Sequence, residues 1–445
     1  MLKPCKASST WARIVPLLAV AAGLVLAVLG CGGDGTSSGG PEDADAAANE
    51  KVTLTVGLFG TFGYKEAGLY DEYMKLHPNV TIKETSIEFE QDYYQALQTH
   101  LAGGAGLSDV QGIEVARIAE VTQTQADKFV DLRDLGADDI KDTFFPWKWD
   151  AATSPDGAVV GLGTDTGPLA ICYRTDLFKQ AGLPTDRDEL ASMWQTWPDF
   201  IEVGKQYAAN APGDSAFMDS ASGYYNAIIG QSETQYYDAD GNPIYDTNPA
   251  VKEAWDLAVQ AIQAGLSAKL KQFDQPWNQA FANGRFATIA CPAWMIGYIK
   301  GQAGDSGAGK WDVAPIPGGG GNWGGSYLAI PAASEHKEQA YDLIEWLTAP
   351  EQQVKMWTQA QHFPSSSTAA DDSAVAAATD EYFSNAPVGE LFKESADNLT
   401  VATLGPKDGV VKDTISNGLL RIEQQGEDPD TAWQKTLDDI ANAIG

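Results

Sequence analysis

The stretch from Val52 to Glu114 constrains the fold more than any other, because it switches repeatedly between two periodicities. "VTLTVGL" (52–58) places Val52, Leu54, Val56 and Leu58 at alternate positions, as a strand does. Leu69, Tyr70, Tyr73 and Met74 then recur at helical spacing, and Pro78-Asn79 stops that helix. "VTIKE" (80–84) reads as a second strand, 92–101 as a helix closed by Gly103-Gly104, and "SDVQGIE" as a third strand. Strand, helix, strand, helix, strand predicts an α/β fold with a parallel sheet. Ligands of such sheets sit where loops leave the carboxyl ends of the strands.

The later chain continues in that style with longer helices. "VKEAWDLAVQAIQAGL" (251–266) and "EQAYDLIEWLT" (338–348) each gather their apolar residues on one side. The 445 residues suffice for two domains with a core each, and no period of 20–50 residues repeats. Glycine-rich 301–309 reads as a surface loop and 318–325 as a chain crossing.

Lys3, Lys6 and Arg13 precede an uncharged apolar run at 14–29, the pattern of an export signal and short for a membrane span. "VLGC", ending at Cys31, resembles the lipobox of bacterial lipoproteins, which implies removal of residues 1–30 and diacylation of Cys31. Gly, Ser, Ala, Asp and Glu dominate the segment after Cys31, so 31–50 reads as a flexible tether. The expected location is the extracytoplasmic face of the cell membrane, held by lipid. A formal charge of −32 repels nucleic acid, so no such partner is expected.

Cys172 and Cys291 lie in predicted strands, "LAICYR" and "ATIACP". In an oxidising compartment they form either a disulfide or two separate buried thiols. With four His and no ligand-like spacing, neither a metal nor a cofactor is expected. "GGGGNWGG" lacks the Lys-Ser/Thr of a phosphate loop, and "DADGNP" (238–243) reads as a turn rather than a calcium loop.

Five stretches occur in a telling order: "GLYDEYMKLHPNVTIKE", "YYQALQTHLAGGAGLSDV", "GLGTDTGPLAICYRTDLFKQAGLP", "WNQAFANGRFATIACPAW" and "AYDLIEWLTAPEQQ". Together they resemble the family 1 extracellular solute-binding proteins, carbohydrate-binding lipoproteins of ABC importers related to maltose-binding protein. The resemblance runs from about Val52 to the C-terminus. "TDTGPLAICYRTDLF" and "ACPAWM" look closest to cello-oligosaccharide binders of Gram-positive bacteria.

The resemblance implies a two-lobed, type II periplasmic-binding-protein-like α/β clamshell. Each lobe would be a mixed, mostly parallel sheet flanked by helices, and crossing strands would join them. Lobe one would be 51–165 plus 327–363, and lobe two 166–326 plus 364–445. It further implies a monomer that captures an oligosaccharide, without catalysis, and delivers it to ABC permease subunits driven by a cytoplasmic ATPase. A secreted glycoside hydrolase is the alternative, since carboxylates and aromatics also line hydrolase clefts.

Aromatic rings suit the C–H faces of a sugar, and carboxylates, amides and guanidinium groups suit its hydroxyl fringe. On that chemistry and the resemblance, Trp294 in "CPAW" and Trp323 in "GGNWGG" are stacking candidates. Of Tyr224 and Tyr225, one is expected to face sugar while the other packs, and Asn226 adds an amide. Glu114 and Arg117 leave the third strand as a polar pair, and Asp165 and Thr166 sit at the first crossing. "FGTFGY" (59–64) is expected to line the cleft as well.

Overall fold

β1 (Val52–Phe59) buries Val52, Leu54 and Val56 while Thr53 stays exposed, and it pairs in parallel with β2 (Val80–Ile87) and β3 (Val110–Glu114). The computed structural model describes residues 51–445, which form one unit. The proposed signal 1–30, Cys31 and the tether 31–50 lie outside the described residues.

The first sheet has the order β2-β1-β3-β10-β4. β10 (Ser326–Ala329) enters antiparallel between β3 and β4 (Leu162–Gly163), although it is far from both in sequence. Leu54, Val56 and Leu58 pack against Tyr341, Leu343 and Ile344 of the helix Lys337–Thr348. On a neighbouring cluster Ile118 and Val121, from the helix Val115–Thr124, meet Ile113 and Tyr327.

From β4 the chain passes through β5 (Asp165–Thr166) into the second sheet, ordered β7-β8-β6-β9. Every residue of β6 (Leu169–Arg174) and of β8 (Phe286–Pro292) is buried, which explains their unbroken apolar character. β7 (Ala216–Met218) is parallel to β8, but β6 is antiparallel to both β8 and β9 (Trp311–Pro315). This sheet is therefore less parallel than the sequence suggests. β6 runs away from the crossing whereas β8 and β9 run back toward it, so those pairs oppose. Cys172 and Cys291 are joined by a disulfide between β6 and β8.

From β9 the chain returns to β10 in the first sheet, and β11 (Phe363–Pro364) then pairs with β5 as a two-stranded ribbon. The helix Asp408–Gln425 sends Val411, Ile415 and Leu419 into the second core, beside Trp255 and Tyr225. "DADGNP" is a turn: Asp238 accepts from the backbone N–H groups of Asp240 and Asn242. No helix among the described residues is long and apolar enough to cross a membrane.

Candidate ligand cleft

A cleft of about 100 Å³, open to solvent, takes its walls from elements attached to both sheets. Val115 and Ala116 reach it from the end of β3, and Trp147 from the short helix Pro146–Ala151. Asn226, Ile229 and Tyr236 face them from the side of the second sheet, with Trp323 on the β9–β10 connection. Asp408 and Lys412, a turn apart on the Asp408–Gln425 helix, complete the polar side. A smaller hollow of about 10 Å³ shares Trp147, Asn322 and Leu399 with it and adds Thr166.

Backbone geometry fixes Trp323. Gly324 has φ 96°, and a Cβ there would stand 2.8 Å from Trp294 Nε1, so a side chain would be strained and crowded. Asn322 secures the same turn by accepting from Gly167 N–H and donating to the Gly324 carbonyl. Trp294, partly exposed, stands behind Trp323 and does not line this cleft. Its Nε1–H donates to the Trp323 carbonyl at 3.0 Å and the two rings meet edge to face at 6.1 Å. Trp294 supports the ring that lines the cleft.

Tyr224 and Tyr225 both lie away from the cleft. Tyr224 packs on Trp197 and Phe200, and its hydroxyl donates to the Trp197 carbonyl; Tyr225 is wholly buried. Successive helical residues point about 100° apart, so when both tyrosines face the core it is Asn226 that reaches the cleft. Glu114 caps the Val115–Thr124 helix by accepting from Ala116 N–H at 2.6 Å. Arg117 is directed elsewhere too: its guanidinium binds Glu90 at 3.1 Å and Asp413 at 2.8 Å, over the Tyr94 ring.

Asp165 serves the crossing. Its carboxylate accepts from Thr164 Oγ1 and Ser326 N–H, and His362 Nδ1 lies 3.7 Å away. Burial acts to raise the Asp165 pKa, but His362, Lys148 and Thr164 outweigh it and hold the carboxyl below its ordinary value. The Thr166 hydroxyl donates to the Pro364 carbonyl across the ribbon. Within "FGTFGY", Tyr64 is buried in the first core with Phe62 against it, not along the cleft.

Two residues on the cleft wall carry a buried oxygen with no protein partner, Asn226 Oδ1 and Asp408 Oδ1, whereas the Tyr236 hydroxyl meets that of Tyr225. Unpaired buried acceptors are unfavourable, and a ligand's donors would relieve them. Burial pushes the Asp408 carboxyl up to about 7.

Residues 68–383 match the family described as bacterial extracellular solute-binding protein. This chain belongs to that family. Among relatives of this solute-binding protein is the lactose-binding protein of Rhizobium radiobacter, 30% identical over 297 residues that cover 64% of this chain and 67% of that one. A solved extracellular solute-binding protein of family 1 is 42% identical, with a TM-score of 0.77, covering 88% of this chain and 100% of that one. The binding protein of B. animalis subsp. lactis Bl-04, solved with β-1,6-galactobiose, has a TM-score of 0.75 at 22% identity and covers 89% and 99%. These likenesses establish the two-lobed type II fold for this solute-binding protein. Trp147, Tyr236, Asp408 and Lys412 escaped sequence reasoning, because no local pattern sets them apart from packing or surface residues.

Proposed function

We propose that this protein captures a short neutral oligosaccharide in the cleft and presents it to the permease of an ABC importer, without catalysis. The observation that carries this reading is the pairing of chemistries in one cleft: Trp147 and Trp323 with aliphatic side chains, beside the unpartnered Asn226 and Asp408 oxygens. Rings suit the C–H faces of a pyranose and the oxygens suit its hydroxyls. The relatives that bind lactose and β-1,6-galactobiose support a β-linked disaccharide. The sequence resemblance favours cellobiose or a cello-oligosaccharide in the same class. Diacylated Cys31 would anchor the monomer outside the cell, with 31–50 as its leash.

Melting the protein against lactose, cellobiose, β-1,6-galactobiose and maltose tests the proposal, since a ligand bound only to the native state raises stability by mass action. The expected outcome is a rise with at least one β-linked sugar and no new reducing ends on long incubation. Turnover would move the chain to the hydrolases. No rise with any sugar would remove the carbohydrate reading.

A further inference from the structure

The sugar reading leaves open which part of the cleft reads the ligand and what it demands. We infer that Asp408 and Asn226 form a two-acceptor subsite for a pair of hydroxyls on one neutral sugar ring, an inference that rests on the sugar reading above. Asp408 is 3% exposed and Asn226 7%, yet both side chains contribute to the cleft wall. The second Asp408 oxygen is already engaged by Gly405 N–H at 3.0 Å, which fixes the carboxylate plane and leaves Oδ1 unpaired. The Asn226 Oδ1 atom is unpaired as well. Two unpaired acceptor oxygens, with the Asn226 amide N–H groups beside them, suit sugar hydroxyls, which both donate and accept.

Tyr236 lines the cleft beside them, its hydroxyl turned to that of Tyr225. Lys412 lines the cleft from the next turn and can donate to the same ring. A carboxylate placed at the Asp408 end would face the Asp408 carboxylate with Glu114 close by, offset by Lys412 and the Asn226 amide N–H groups, so that end of the subsite disfavours uronates. The charged and titratable groups around Asp408 include Lys412 on its own helix, Glu114 and the Arg117–Asp413 and Lys407–Glu120 pairs at the junction with the facing helix, and Tyr236 and Tyr237. Burial keeps both tyrosines above their ordinary value, so they stay protonated near neutrality.

Hydroxyls donate to the carboxylate form, so binding should release the proton that Asp408 holds when free. Titration calorimetry with lactose, cellobiose and β-1,6-galactobiose, at about pH 7 in two buffers of different ionisation enthalpy, reads that release on the unaltered protein. The expected result is about half a proton released per sugar bound, affinity roughly tenfold higher at about pH 8 than at about pH 6, and weaker binding of cellobiouronic acid than of cellobiose. Asp408→Asn should lower affinity and abolish both the proton release and the pH difference, with circular dichroism confirming the fold. Sugar binding without proton exchange, and equal in Asp408→Asn, would overturn the subsite and leave the carbohydrate reading intact. Failure of every sugar to bind would overturn both.

Discussion

Arg117 and Asp413 stand 2.8 Å apart and join two elements rooted in different cores. Arg117 belongs to the helix that packs Ile118 and Val121 beneath the first sheet, and Asp413 to the helix that buries Ile415 and Leu419 in the second. Lys407 and Glu120 form another ion pair across the same junction. Gly409 makes room for this arrangement, because a Cβ there would lie 2.2 Å from Arg117 Nη1.

These contacts exist only while the two elements meet, so they favour the arrangement in which the cleft is walled on both sides. Asp413→Asn should shift that equilibrium by about 1 kcal/mol, because Asp413 is partly exposed and its pairing is partly screened. Gly409→Ala should act in the same direction by displacing the guanidinium, without removing a charge. Small-angle scattering of the ligand-free protein should report a larger radius of gyration for both variants. Unchanged scattering and unchanged ligand affinity would refute the coupling.

Trp323 lines the cleft while Trp294 holds it in place. Trp323→Ala should weaken ligand binding by about 1–3 kcal/mol, the range of buried aromatic anchors at other interfaces. Trp294→Phe keeps an aromatic ring but loses the donor to the Trp323 carbonyl, so it should cost less, about 1 kcal/mol. Calorimetry on the two variants ranks them. The reverse order would make Trp294 the contacting ring.

The Cys172–Cys291 bridge closes a loop with a sequence separation of 119. Replacing both residues by Ser should destabilise the fold by about 2–5 kcal/mol, measured as a lower urea midpoint. A thiol assay on the unfolded, unreduced chain should find neither of these two cysteines reactive.

Burial raises Asp219 to about 6 and both Asp408 and Glu423 to about 7. The unfolded chain releases these protons near pH 4, so between there and about pH 7 the native state holds more protons. Stability of the ligand-free protein should therefore fall as pH rises through that window. Each group contributes up to about 1.4 kcal/mol per pH unit. Glu423→Gln should flatten the profile, as read by chemical unfolding at successive pH values. A profile that climbs between about pH 5 and about pH 7 would contradict the assignment.

The architecture was legible where its causes are local. The alternation of β1, the helical spacing around Tyr70 and Tyr73, and the breakers at Pro78 and Gly103-Gly104 each act within a few residues. The apolar runs of β6 and β8 reveal burial for the same reason. Trp323 stood out because glycines surround it. The remaining cleft residues were hidden by geometry acting at long range. Helix rotation decides between Tyr225 and Asn226, and sequence-distant partners draw Arg117 to Asp413 and Asp165 to Ser326. Asp408 reaches the cleft on a helix almost 300 residues beyond β3, which no local pattern announces.

The insertion of β10 between β3 and β4 imposes an order of events on biogenesis. β4 has no partner in the first sheet until residues 326–329 have been synthesised, and β5 none until 363–364. The second core likewise waits for Ile415 and Leu419. The first sheet can therefore close once residue 329 has been made, whereas the second core stays open until the last helices of the chain are in place.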